Sequence, residues 1–117
     1  MRIRLDREDQ VLLREAVAYM ARRMCDPRDV HELGETEDRL DALLLGASPA
    51  NAGAGGLTLE GRQAEVLRAA LESYAGVLAQ PGSDFTNRAR VVRLRRVIRA
   101  IRAQSRWWAR VFAWFGK

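Results

Sequence analysis

The sequence predicts a mainly helical protein with one minimal two-stranded antiparallel ribbon, an α+β arrangement of two pseudo-symmetric strand–helix–helix units. Three observations predict it. Two short stretches of alternating pattern, at residues 2–5 and 57–59, each lead into a long segment whose apolar residues keep helical spacing. An uncharged stretch rich in glycine and alanine, residues 46–56, separates the two halves. The second half then repeats the pattern of the first at an offset of 54 positions, without a gap.

Taken in order, Ile3 and Leu5 share one face of a strand over residues 2–5, with Arg2 and Arg4 on the other. Asp6 stands at an N-cap position and Asp9 in the first helical turn, where carboxylates meet the positive end of the helix. Over residues 7–25, Leu13, Ala16, Val17, Met20 and Met24 hold helical spacing. Asp26 and Pro27 end that helix, because the residue before a proline avoids the α conformation. After a polar turn, residues 35–45 predict a second helix carrying Leu40, Leu43 and Leu44, with Gly46 as its C′ residue. Residues 46–56 predict a flexible linker that spans roughly 17–20 Å as a random coil.

The repeat places Ile3 on Leu57, Leu5 on Leu59, Asp6 on Glu60 and Arg14 on Arg68. Pro27 falls on Pro81, and the pair Arg39, Leu40 on Arg93, Leu94. Leucines coincide easily in helical proteins; the prolines and the Arg-Leu pairs in one register do not. The organisation expected is a single domain over 1–117, with a unit at 1–45, the linker at 46–56 and a second unit at 57–117. A bare two-stranded ribbon is marginal in water. The two strands are therefore expected to pair and to be covered by the helices.

Composition sets the class. A chain of 117 residues, 48% apolar and 30% charged, is long enough to bury a core and is not of disordered type. Its net charge of +5 hides an asymmetry: residues 1–54 carry 8 basic and 11 acidic side chains, and residues 55–117 carry 12 and 4. So wide a split predicts an anionic partner for the second half or attraction between the halves. The single cysteine, Cys25, leaves no internal disulfide and points to a reducing compartment. The first residues lack the apolar core of a signal peptide, and no apolar run reaches the length of a spanning helix. A cytoplasmic location is expected, with a place at the periphery of a membrane as the variant.

The run Leu57, Thr58, Leu59, Glu60, followed by Ala64, Leu67, Ala70, Leu71 and Tyr74, resembles the opening of small uncharacterised prokaryotic helical-hairpin proteins. That resemblance covers about 45 residues of the second unit and implies a strand leading into a helical hairpin; it carries no activity. Strand–helix–helix order also resembles the ribbon-helix-helix fold. That likeness implies outward strand side chains, here Arg2, Arg4 and Thr58, reading a DNA groove. A first helix of about 19 residues and a following turn of about ten depart from that family's pattern.

Catalytic signals are weak. Cys25 and His31, six residues apart, suggest a nucleophile–base pair, but their repeat counterparts are Ala79 and Phe85, and both are expected to be semi-buried packing positions. The acidic stretch from Asp26 to Asp41 has no calcium-loop spacing, and no phosphate-binding glycine motif follows a strand. No catalytic residue, metal, cofactor or small-molecule substrate is expected.

The most informative stretch is the last thirty residues. Nine arginines fall between positions 88 and 110, and no acid follows Asp84. At 100° per residue, Arg88, Arg95, Arg96, Arg99, Arg102, Arg106 and Arg110 fall within an arc of about 120°. Val91, Leu94, Val97, Ile98 and Ile101 take the opposite side. Trp107, Trp108, Val111, Phe112, Trp114 and Phe115 then widen the apolar arc beyond what one core contact needs. This long amphipathic helix predicts a non-catalytic interaction protein that self-associates into a homo-oligomer or docks to a protein partner. The alternatives are binding of nucleic acid or of an anionic membrane surface through the same arginines. The acidic second helix of the first unit is a candidate internal neutraliser of those arginines.

Overall fold

The computed structural model describes residues 2–45, 55–82 and 84–115, and from residue 105 it describes the backbone alone. The elements follow the order β1 (Arg2–Leu5), α1 (Arg7–Ala21), α2 (Pro27–Leu45), β2 (Gly55–Thr58), α3 (Gly61–Leu78) and α4 (Phe85–Phe115). The chain is mainly helical with one two-stranded antiparallel sheet.

The register of that ribbon carries the symmetry. Arg2 pairs with Thr58, Ile3 with Leu57, Arg4 with Gly56 and Leu5 with Gly55. Moving each residue by the 54-position offset exchanges the pair Arg2–Thr58 with the pair Arg4–Gly56 and returns Ile3–Leu57 to itself. Ile3 and Leu57 are thus paired counterparts at the centre of the ribbon, and each is nearly inaccessible to solvent. Leu5 and Leu59 extend the same inward face, while Arg2, Arg4 and Thr58 point outward. The Arg2 guanidinium lies across Gly56, where a Cβ would collide with it.

Each unit folds as a helical hairpin, α1 on α2 and α3 on α4, and the two hairpins meet where α1 packs on α3 and α2 on α3. One hydrophobic cluster joins all six elements. Its fully buried members include the repeat pairs Leu13 and Leu67, Ala16 and Ala70, Val17 and Leu71, and Leu40 and Leu94. Val91, Leu94, Val97, Ile98 and Ile101 of α4 all enter this cluster, as their spacing predicts. Tyr19 of α1 meets Tyr74 of α3 edge-on at 5.1 Å between ring centroids.

Local chemistry explains the boundaries. The Asp6 carboxylate accepts the Asp9 N–H at 2.7 Å and caps α1. At the start of α3, the Gln63 side chain accepts the Glu60 N–H at 3.3 Å. The sequence reading of the first turn needs correction: α1 stops at Ala21 rather than at Cys25, and α2 begins at Pro27 rather than at residue 35. A proline lacks only an N–H that the first helical position leaves unpaired anyway, so Pro27 starts a helix as well as ending one. The Asp26 carboxylate helps by accepting the Arg28 N–H at 2.9 Å. Asp29 and Glu32 therefore lie on the same helix as the acids from Glu35 to Asp41 and not in a polar turn. The first helix and the turn after it are both shorter than the lengths that set the chain apart from the ribbon-helix-helix pattern.

In the second unit the corresponding turn passes through Gly82, whose φ of 88° belongs to the left-handed region. The expected linker over 46–56 lies outside the described residues as far as position 54, and its last two glycines belong to β2.

Candidate interaction face on the last helix

The arginines of α4 divide into two sets. Arg93 is the most heavily engaged: its guanidinium meets Asp9 at 3.1 Å and Asp6 at 3.4 Å, and it also pairs with Glu8. Arg96 reaches Asp9 at 3.4 Å and Arg90 lies 3.8 Å from Glu15. Arg102 pairs with Glu72 of α3, a carboxylate that Arg68 also holds at 3.1 Å. The hydrogen bond to Asp9 is the main cause that pushes the Arg93 guanidinium up from its ordinary value, and burial opposes it.

This pairing corrects the expected neutraliser. The acids facing α4 are the cap Asp6, Glu8, Asp9 and Glu15 of α1, and Glu72 of α3, not those of α2. The carboxylates of α2 have other partners. Asp41 and Glu37 hold Arg14 at 2.5 and 3.5 Å, and Asp29 lies 3.6 Å from Arg62. Glu35 accepts the Gln63 amide at 2.6 Å. The helical hairpins explain why: α4 packs on α3 and leans on α1, which leaves α2 on the far side with α1 and α3.

The second set is Arg88, Arg95 and Arg99. All three are exposed and, among the described residues, none has a carboxylate within 4 Å. Val92 lies among them with 69% of its surface exposed, and Phe85 is exposed at the start of the helix. Of the five arginines of the arc whose side chains are described, two are thus neutralised and three are open. Arg96 and Arg102, although exposed, are tied to acids, whereas Arg88, Arg95 and Arg99 are not. Arg106 and Arg110, with Trp107, Trp108, Val111, Phe112, Trp114 and Phe115, have side chains outside the described ones.

The backbone does continue there. α4 is 31 residues long against 19 for α2, its counterpart. The repeat offset sets Leu45, the last described residue of α2, against Arg99, and α4 runs sixteen residues beyond that position. At 1.5 Å per residue they add about 24 Å of helix. Near the start of that extension, the Gln104 amide donates to the Arg2 carbonyl at 2.9 Å, which ties α4 to the outer strand of the ribbon.

Elsewhere the candidate chemistry is sparse. Cys25 and His31 are both exposed, contrary to the semi-buried positions expected of them. Cys25 falls in the connection between α1 and α2. His31 lies on the outer face of α2, where its ring pairs with Glu35 at 3.2 Å, one helical turn on. The repeat counterpart Phe85 is exposed too, so an apolar counterpart did not signal burial at that position. Among the described residues, no group of three or more potential metal ligands comes together, and no helix is long and apolar enough to cross a membrane. Comparison of the chain with protein families, with curated proteins and with solved structures finds no match.

Proposed function

We propose that the protein is a non-catalytic interaction module that binds a second copy of itself or a protein partner through the end of α4. The observation that carries this reading is the length of α4. α4 runs sixteen residues past the position matched to Leu45, and the sequence fills that stretch with three tryptophans and two phenylalanines. Aromatic residues of this kind dominate the buried centres of protein interfaces. Two arginines, Arg106 and Arg110, keep one side of the segment polar, as an amphipathic docking helix requires.

The test is the solution mass of the full chain beside a version ending at Ser105, at low and moderate salt. The expected result is a dimer or larger assembly for the full chain and a monomer for the shorter one at both salt concentrations. Two monomers, with the full chain freely soluble, would overturn the reading.

A second reading, an anionic polymer or membrane surface, draws its support from Arg88, Arg95 and Arg99, which no acid of the described residues satisfies. The outward Arg2 and Arg4 of the ribbon add to it. Under that reading, binding to duplex DNA or to anionic vesicles falls steeply with salt and survives scrambling of residues 106–117, which docking by a helix face does not.

A further inference from the structure

We propose that the groove between α3 and α4 is a binding site for a phosphate monoester, held by Arg95, Arg99 and Arg102. These three arginines line one groove of about 360 Å³, large enough for a phosphate with a small organic body. Their spacing of four and three residues puts them on one face of α4, so their guanidinium groups share a mouth. The opposite wall is made by Ala75 and Gly76 of α3, and Ile98 supplies apolar surface from α4. Gly76 is exposed, and a Cβ placed there would meet nothing within 4 Å, so that wall is low and the groove stays open.

Charge selects the ligand. The one carboxylate in the groove, Glu72, pairs with Arg102, and Arg68 holds it from behind at 3.1 Å. Counting the lining groups alone, three arginines against one glutamate leave +2, which a phosphate monoester near neutral pH matches. Geometry agrees with charge. A carboxylate is saturated by one bidentate arginine, whereas the three oxygens of a phosphate accept from two or three guanidinium groups at once. Glu72 anchors Arg102 at the edge of the groove, and Arg95 and Arg99, with no acid of their own among the described residues, supply the grip. The site is one for binding rather than turnover, since its one carboxylate, Glu72, is taken up by Arg102 and Arg68.

This site uses none of residues 105–117, so it stands or falls independently of docking through the end of α4. The full chain, labelled with ¹⁵N, is titrated with phenyl phosphate while the Ala75, Gly76 and Ile98 amides and the arginine Nε–H signals are followed. A saturable shift confined to the groove is expected. Arg95→Gln and Arg99→Gln should each weaken binding roughly tenfold, as loss of a charge-assisted bond implies. Arg88→Gln, on the same helix but outside the groove, should leave binding within about twofold if the grip is local. Gly76→Phe, which fills the mouth without removing charge, should abolish it. A parallel arm uses vesicles of phosphatidylcholine with phosphatidic acid, whose headgroup is a phosphate monoester. Response to phenyl phosphate assigns a soluble ligand; response to the vesicles alone, lost in the same variants, assigns the lipid headgroup. The proposal is overturned by no response in either arm, or by tighter binding of succinate than of phenyl phosphate. Arg88→Gln weakening binding as much as Arg99→Gln would also overturn it, because the arginines would then act as a diffuse field.

Discussion

Arg39 and Arg93, 54 residues apart, make the same reach from opposite units: each crosses to the third residue of the other unit's first helix. Arg39 donates to Gln63 at 3.0 Å and to the Thr58 carbonyl at 2.5 Å, while Arg93 donates to Asp9 at 3.1 Å. Gln63 and Asp9 are themselves counterparts and are both buried. The two halves are thus clasped twice, once by a neutral acceptor and once by a charged one. The charged clasp gathers Asp6 and Glu8 as well, and so places a larger electrostatic demand on Arg93.

Replacing Arg93 should therefore be more harmful than replacing Arg39. Arg93→Gln leaves the buried Asp9 with Arg96, at 3.4 Å, as its one basic partner among the described residues, and is expected to cost about 1–3 kcal/mol. The change Asp9→Gln, which removes the buried carboxylate, should recover part of that loss when combined with Arg93→Gln. Urea unfolding of the two single variants and the double one gives the coupling between them. Strict additivity would show that the two side chains do not interact.

Asp6 links stability to pH. The bond from the Asp9 N–H is the main cause that holds the Asp6 carboxyl below its ordinary range; burial opposes it, and the Arg93 guanidinium reinforces it. With the folded pKa lowered, the unfolded chain takes up the proton first as the solution is acidified. The stabilisation is therefore complete above the ordinary carboxylate pKa of about 3.9 and is lost as pH falls through the lower folded value. Asp6→Ala should cost about 1 kcal/mol at neutral pH. Its difference from the unaltered protein should shrink on acidification below about pH 4. Denaturation midpoints across a pH series measure both.

Three glycines should respond with opposite signs. Gly34 and Gly76 lie inside helices, and a Cβ at either would meet nothing within 4 Å. Alanine at each should stabilise the chain by about 0.5–1 kcal/mol. Gly82 also has open space, but its φ of 88° is unfavourable for any side chain, so Gly82→Ala should destabilise by about 1 kcal/mol. Thermal unfolding of the three variants separates room from backbone conformation.

Leu40 and Leu94, counterparts with no exposed surface, should prove equally intolerant of truncation. Alanine at either is expected to cost 2–5 kcal/mol, at the scale of about 24 cal/mol per Å³ of cavity left behind. A much smaller loss at Leu94 would mean that α4 is less firmly seated than α2, and chemical denaturation decides it.

Much of this fold is readable from residue pattern because the information is local. Alternation at Ile3 and Leu5, the Asp6 cap and the spacing of Val91, Leu94, Ile98 and Ile101 each act within one element. Pro27 misled for the same reason. Proline rules are local but two-sided, and only packing of Leu33 and Thr36 into the interior shows that the helix starts there. Partner choice among charges was not legible. Which acids meet Arg93 depends on α4 lying beside the first turn of α1, a contact between residues more than eighty positions apart. The groove of Arg95, Arg99 and Arg102 was half legible, since the arginines share a helix face but their opposite wall, Ala75 and Gly76, lies on another helix.

Ile3 pairs with Leu57 across the two halves of the chain. Each half owns one strand and finds its partner strand only in the other half. The protein is in this sense a two-component complex on one polypeptide, its halves joined through the chain between Leu45 and β2. Such a covalent link raises the effective concentration of each half for the other. Cutting it should leave two fragments that rejoin at high concentration and part on dilution. Shortening it should drive the strand of one chain into the ribbon of another.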